Sequence, residues 1–149
     1  MKKAIHILLI VQGVLLFYHI SFGQSNNLKS VTIKGVDFSI KTITDISCED
    51  FDHTFDNEQK IKFIFNKEDL SQFQAFINEF KEVKPLRSFD VRGSVNFIYG
   101  NARDKYCFNK FGYFYKEGKY YYNKSLLIFI ADKIFKQHPQ YLDTLQQHE

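Results

Sequence analysis

An α+β fold, an antiparallel β-sheet of about six or seven strands with two α-helices packed mainly on one face, is predicted by three features of this chain. Apolar residues alternate with polar ones in several short runs joined by short connections. Residues 66–84 carry apolar side chains at helical spacing, making one strongly apolar face. A second helical segment starts at Asn123, a capping residue, and is stopped by Pro139. The order is strands, helix, strands, helix, with no internal repeat and no linker to a second domain.

The elements follow from the residues in order. Lys2 and Lys3 precede a mostly apolar stretch from Ala4 to Ile20, and Ser21-Phe22-Gly23 then leads into Gln24. This is the pattern of an export leader, so residues 1–23 are expected to be a cleaved signal peptide and 24–149 a single α+β domain. The competing reading is a retained anchor. His6, Gln12, Gly13 and His19 interrupt the stretch, which makes it a poor span for a hydrocarbon core ~30 Å thick. The first cysteine is Cys48, so no lipid is expected at the cleavage point. A periplasmic or secreted location without a stable membrane anchor is the expectation.

Val31 and Ile33, then Val36, Phe38 and Ile40, alternate on either side of Gly35, predicting strand, turn and strand. The second of these is expected to continue through Ile43 and Ile46 toward Cys48. Residues 49–59 read as an acidic loop anchored by Phe51 and Phe55, and Ile61, Phe63 and Phe65 give a third strand. Asn66 caps the first helix, with Glu68 and Asp69 at its positive end. Leu70, Phe73, Phe76, Ile77, Phe80 and Val83 form its apolar face, and Pro85 ends it. Residues 89–99 alternate with Gly93 as a candidate bulge, and 106–108 and 111–115 give further strands. Glu117-Gly118 turns the chain into a strand over 119–122. The second helix is expected over 124–137, although its start is apolar all round and a strand competes there. The tail from Gln140 is polar and is expected to fray.

Composition narrows the functions. The formal charge is +3, and removing Lys2 and Lys3 leaves about +1, too little for nucleic-acid binding through bulk charge. Cys48 and Cys107 fall in segments read as strand or strand end, and an oxidising compartment favours a disulfide between them over two buried thiols. Asp50, Asp52, Asp56 and Glu58 supply oxygens, but their spacing departs from the calcium loop, and His53 has no neighbouring histidine, so no metal or other cofactor is expected. Cys48 and His53 are close in sequence with Asp52 beside them, the residue types of a nucleophilic set, and a bridged cysteine argues against it. Asp90, Arg92, Arg103 and Asp104 are expected to form ion pairs between neighbouring strands.

The surface that stands out is the segment 103–124, where lysines interleave with tyrosines and phenylalanines on both faces of the strands. Tyrosine joins an apolar ring to a polar tip and suits a binding surface, although cross-strand packing explains such rings as well. The sequence therefore predicts a non-catalytic binding module for a protein or peptide partner, with Tyr113, Tyr115, Tyr121, Lys116 and Lys119 as its site. Sugar stacking is a lesser possibility. The alternative function is a small envelope-acting hydrolase using carboxylates of the acidic loop.

Overall fold

The computed structural model describes residues 27–135. The leader expected over 1–23, the tail from 140 and the expected end of the second helix at 136–137 lie outside them. The elements are β1 (Ser30–Gly35), α1 (Phe51–Thr54), β2 (Lys60–Ile64), α2 (Lys67–Asn78), β3 (Lys81–Val83), β4 (Gly93–Tyr99), β5 (Ala102–Phe108), β6 (Tyr113–Lys116), β7 (Lys119–Tyr122) and α3 (Lys124–Phe135). All seven strands form one sheet in the order β2-β1-β4-β5-β6-β7-β3. Every neighbouring pair is antiparallel, as short connections between successive strands require. The α+β class read from the sequence is the class observed.

Alternation along the strands sorts the side chains into two faces. Val31, Ile33, Val95, Phe97, Tyr106, Phe108 and Phe114 face α2 and α3, meeting Phe73, Leu126, Leu127 and Ile130 in the main core. Edge-to-face ring contacts tie this layer together, with Phe73 at 6.0 Å from Phe97 and 4.9 Å from Phe129. The opposite face carries a smaller cluster of Val36, Phe51, Phe55, Val91 and Cys107, with Ile40, Ile46, Cys48 and Phe89 against it. Phe51 and Phe55 thus anchor the acidic segment as expected, and one helical turn, α1, lies between them. Among the described residues no helix is long and apolar enough to cross a membrane.

Four boundaries differ from the sequence reading. Residues 36–48 form no strand. The Asp37 carboxylate accepts from Ser39 N at 2.8 Å and the Asp37 carbonyl from Ile40 N at 3.1 Å. This turn sends Phe38 into the main core and Val36 into the smaller one, so a single strand cannot hold both. The first helix ends at Asn78, not at Lys84. Residues 81–83 become β3 on the edge of β7, and Phe80 leaves the helix to stack on Tyr106, ring centroids 4.9 Å apart. Gly93 pairs with Gly35 on one side and Phe108 on the other, and Arg92 N also donates to the Phe108 carbonyl at 2.8 Å, so residues 92 and 93 together face Phe108 in the two-against-one pattern of a bulge; residues 89–92 precede the strand. Residues 109–112 form a turn instead of strand, closed by the Asn109 carboxamide oxygen accepting from Phe111 N and Tyr113 N.

The apolar start of the second helix is helix, with no strand there. Asn123 caps it by accepting from Leu126 N at 2.8 Å. The hairpin turn stands as read, with Glu117 at φ 49° and Gly118 at φ 84°, the left-handed pair that a two-residue hairpin loop demands.

Candidate functional site

The β6–β7 hairpin has a register set by its turn. Lys116 pairs with Lys119, Tyr115 with Tyr120, Phe114 with Tyr121 and Tyr113 with Tyr122. Partners directly opposite share a face, so Tyr113, Tyr115, Tyr120 and Tyr122 stand together on the face away from α2 and α3. Their rings meet across the strands, Tyr113 and Tyr122 at 5.0 Å and Tyr115 and Tyr120 at 5.1 Å. All four keep part of their surface in solvent.

Tyr121 is not part of that surface. It points the other way, 5.4 Å from the Phe80 ring and 5.8 Å from Tyr106. Lys116 and Lys119 also belong to the helix side. Lys116 bonds Asp104 and lies 5.4 Å from the centre of the Tyr106 ring, while Lys119 donates to Glu82 at 3.0 Å. Burial works against the Lys116 charge, but the bond to Asp104, the negative tip of Tyr106 and the Asp104 charge hold its pKa above the ordinary lysine value. The five residues grouped by the sequence therefore divide, with Tyr113 and Tyr115 on one face and the other three on the opposite one.

An open cleft of about 320 Å³ sits beside Tyr115 and Tyr120. One wall is Asp45, Ile46, Ser47, Cys48 and Glu49; the other is Leu86, Arg87, Ser88 and Phe89. Phe89 packs on both tyrosines, 5.4 Å from Tyr120 and 6.0 Å from Tyr115. The Cys48 and Cys107 sulfurs are at bonding distance with Cα atoms 5.7 Å apart, which pins the first wall to β5. The Ser88 hydroxyl donates to Asp45 and holds the walls together at the rim. Arg92, nearly buried, bonds Asp90 and the Thr42 hydroxyl, and Asp90 in turn accepts from Ile46 N at 3.1 Å. The cleft thus offers aromatic rings at its floor, with carboxylates and one guanidinium at its rim.

Tyr120 lies in the segment that the sequence singles out but not among its five site residues, and Phe89 and Arg87 lie outside that segment. Tyr120 was accessible to it, because a two-residue turn at Glu117-Gly118 places Tyr115 and Tyr120 opposite each other. Phe89 and Arg87 carried no local signal, since they reach the site through a loop whose path is tertiary.

The acidic segment is built for structure. Asp52 bonds Lys34 at 2.7 Å and lies 3.7 Å from Lys105. Burial pushes its carboxyl upward, but the hydrogen bond and charge of Lys34, with the charge of Lys105, outweigh that and hold it below the ordinary 3.8. Asp50 accepts from the Ser47 hydroxyl at 2.7 Å, and His53, Asp56 and Glu58 are exposed. With its sulfur engaged by Cys107, Cys48 has no thiolate to act with His53 and Asp52. Among the described residues no three His, Cys, Asp or Glu side chains are grouped to hold a metal. The expected pairs across strands are also redrawn: Arg103 donates to the Asn96 oxygen, at 2.8 Å from Nη2, and Asp104 takes Lys116.

Comparison with protein families, curated proteins and solved structures finds no match to this chain.

Proposed function

We propose that this protein is an exported, non-catalytic binding module that takes a protein or peptide partner on the tyrosine face of the β6–β7 hairpin and in the adjoining cleft. The observation that supports this reading is the gathering of Tyr113, Tyr115, Tyr120 and Tyr122 on the sheet face opposite the helices, next to that cleft. Tyrosine in such a place supplies large contact area with little rotamer entropy to lose, and its hydroxyl accepts or donates at a wet rim. The rim residues Asp45, Glu49 and Arg87 suit a polar backbone or charged side chains of a peptide. The hydrolase alternative asks for a carboxylate that holds a proton near neutrality, and the lysines around Asp52 act in the opposite sense.

The test is affinity capture from envelope extract with mass spectrometry, using the wild type beside Tyr115→Ala, Tyr120→Ala and Lys119→Ala. Loss of the same captured partner in both tyrosine variants, with Lys119→Ala behaving as wild type, supports the reading. Retention in both tyrosine variants rejects the hairpin face as the site.

A further inference from the structure

The other edge of the sheet, far from the tyrosine face, carries an unusual row. Ile61, Phe63 and Phe65 are 51%, 59% and 67% exposed, and alternation puts all three on the face opposite α2 and α3. They belong to β2 and the residue just after it, and β2 is an edge strand of the sheet. Scattered apolar side chains on a surface are ordinary, but three in a row on an open edge are the arrangement that recruits another strand.

The hydrogen-bond pattern shows which backbone groups are free to do so. Val36 N donates to Arg92 O at 3.0 Å, continuing the β1–β4 ladder. Bonding direction alternates along an antiparallel strand, so even-numbered residues of β1 bond β4 and Val31, Ile33 and Gly35 bond β2. Their partners are Ile64, Lys62 and Lys60. The amides and carbonyls of Ile61 and Phe63 therefore point outward from the edge, on the same residues that carry the exposed side chains.

We propose that β2 is the interface through which two copies of this chain pair, antiparallel about a two-fold axis at Phe63. Charge selects the register. Centring the pair on Lys62 sets two ammonium groups opposite each other. Centring it on Phe63 sets Phe63 against its symmetry mate, Ile61 against Phe65 and Lys62 against Ile64, while satisfying the outward amides. The strand is its own complement in that register: one face gains a continuous apolar strip and no like charges meet. The result is a sheet of twice the width with the two tyrosine clefts at its far ends. A single strand pair of this length buries less than the ~1,600 Å² of a standard interface, so dissociation is expected in the micromolar range.

Sedimentation equilibrium of the protein purified from its host, at concentrations well above micromolar, is the first test, with a dimer expected and a monomer overturning the proposal. Phe63→Glu is expected to raise the dimer dissociation constant at least ~100-fold while leaving the thermal midpoint close to wild type. A dimer untouched by that change overturns the proposal. Phe63→Cys keeps it falsifiable should Phe63→Glu fail to fold. The opposed Cα atoms would lie ~5.5 Å apart in a bonded pair, within disulfide reach. An interchain disulfide from Phe63→Cys, with none from Ile61→Cys, supports the Phe63 register. The reverse pattern overturns it. Dimerisation only after removal of residues 136–149 overturns it too, by showing that the chain's own end occupies the edge.

Discussion

Gly93 lies where β1, β4 and β5 run side by side, and one reason for glycine there is room. A Cβ on it would stand 2.2 Å from Phe108 Cζ and 2.5 Å from the Lys34 carbonyl oxygen. The ring is held in the main core by Phe114 and Phe38, and the carbonyl belongs to a ladder, so neither can retreat cheaply. Gly93→Ala is therefore expected to destabilise the fold by about 2 kcal/mol through overpacking, read as a lower urea midpoint with unchanged m-value. The sequence marked Gly93 as a bulge candidate, and the close approach of Phe108 is a second reason for glycine there. Alternation around a glycine announces the bulge, whereas the close approach shows only once Phe108 is placed. Charge at single residues was legible in the same partial way. Asp69 was placed in the first turn of the helix, yet its bond to Lys133 of α3 at 2.8 Å depends on how two helices dock. The Asn66 carboxamide and Lys133 hold the Asp69 carboxyl below the ordinary 3.8, and Lys34 and Lys105 do the same for Asp52. A depressed carboxyl contributes stability that is present above the unfolded value and is lost as pH falls through the folded one. The thermal midpoint is thus expected to fall as pH drops below 3.8, and less steeply in Asp69→Asn than in wild type.

Elements with a local signal at both ends were readable, and those defined by a distant partner were not. Asn66 accepts from Asp69 N at 2.9 Å, as its place before an acidic first turn implied, and Glu117-Gly118 gives its hairpin. By contrast, the periodicity of Phe80 and Val83 continued the helical face although 81–83 are β3. In a three-residue edge strand the pairing with Tyr120–Tyr122 decides, and propensity does not. Asn123 shows both kinds of information in one side chain. Its oxygen caps α3 at Leu126 N, which the sequence announced, while its nitrogen donates to Phe76 O at 2.8 Å, tying the start of α3 to the end of α2. Replacing it tests the two roles separately. Asn123→Asp keeps the cap and loses the donor, and Asn123→Ala loses both. The expected order of stability is wild type, then Asp, then Ala, with the Ala variant down by about 1 kcal/mol, chiefly from the lost cap, since Phe76 O keeps Glu79 N as a donor. Equal stability of the Asp and Ala variants in urea titration would show that repulsion between the new carboxylate oxygen and Phe76 O cancels the cap.

At the scale of the molecule, the two faces of the sheet differ in what holds them. Helices α2 and α3 cover one face with a deep aromatic core, whereas the other is covered at one end by the 36–50 loop and α1 around a small cluster. That second cover has few apolar residues, and the link between Cys48 and Cys107, 59 residues apart in sequence, compensates for it. Closing a loop of this length restricts the unfolded chain by about 4 kcal/mol in the chain-entropy model, an upper figure because engineered and natural bridges often deliver less. The same link fixes residues 45–49, the wall of the cleft that faces Tyr115 and Tyr120. Stability and binding are therefore expected to fall together on reduction, but by different amounts. The thermal midpoint of the reduced protein, or of a Cys48→Ser, Cys107→Ser double variant, should drop while the far-ultraviolet dichroism of the seven-stranded sheet and its helices persists below the transition. Partner capture should weaken at temperatures where the reduced protein is still folded, because the wall is released before the core melts. Capture that stays at the oxidised level until the global transition would show that the wall holds its place without the link. The partner would then be read by the tyrosine face alone.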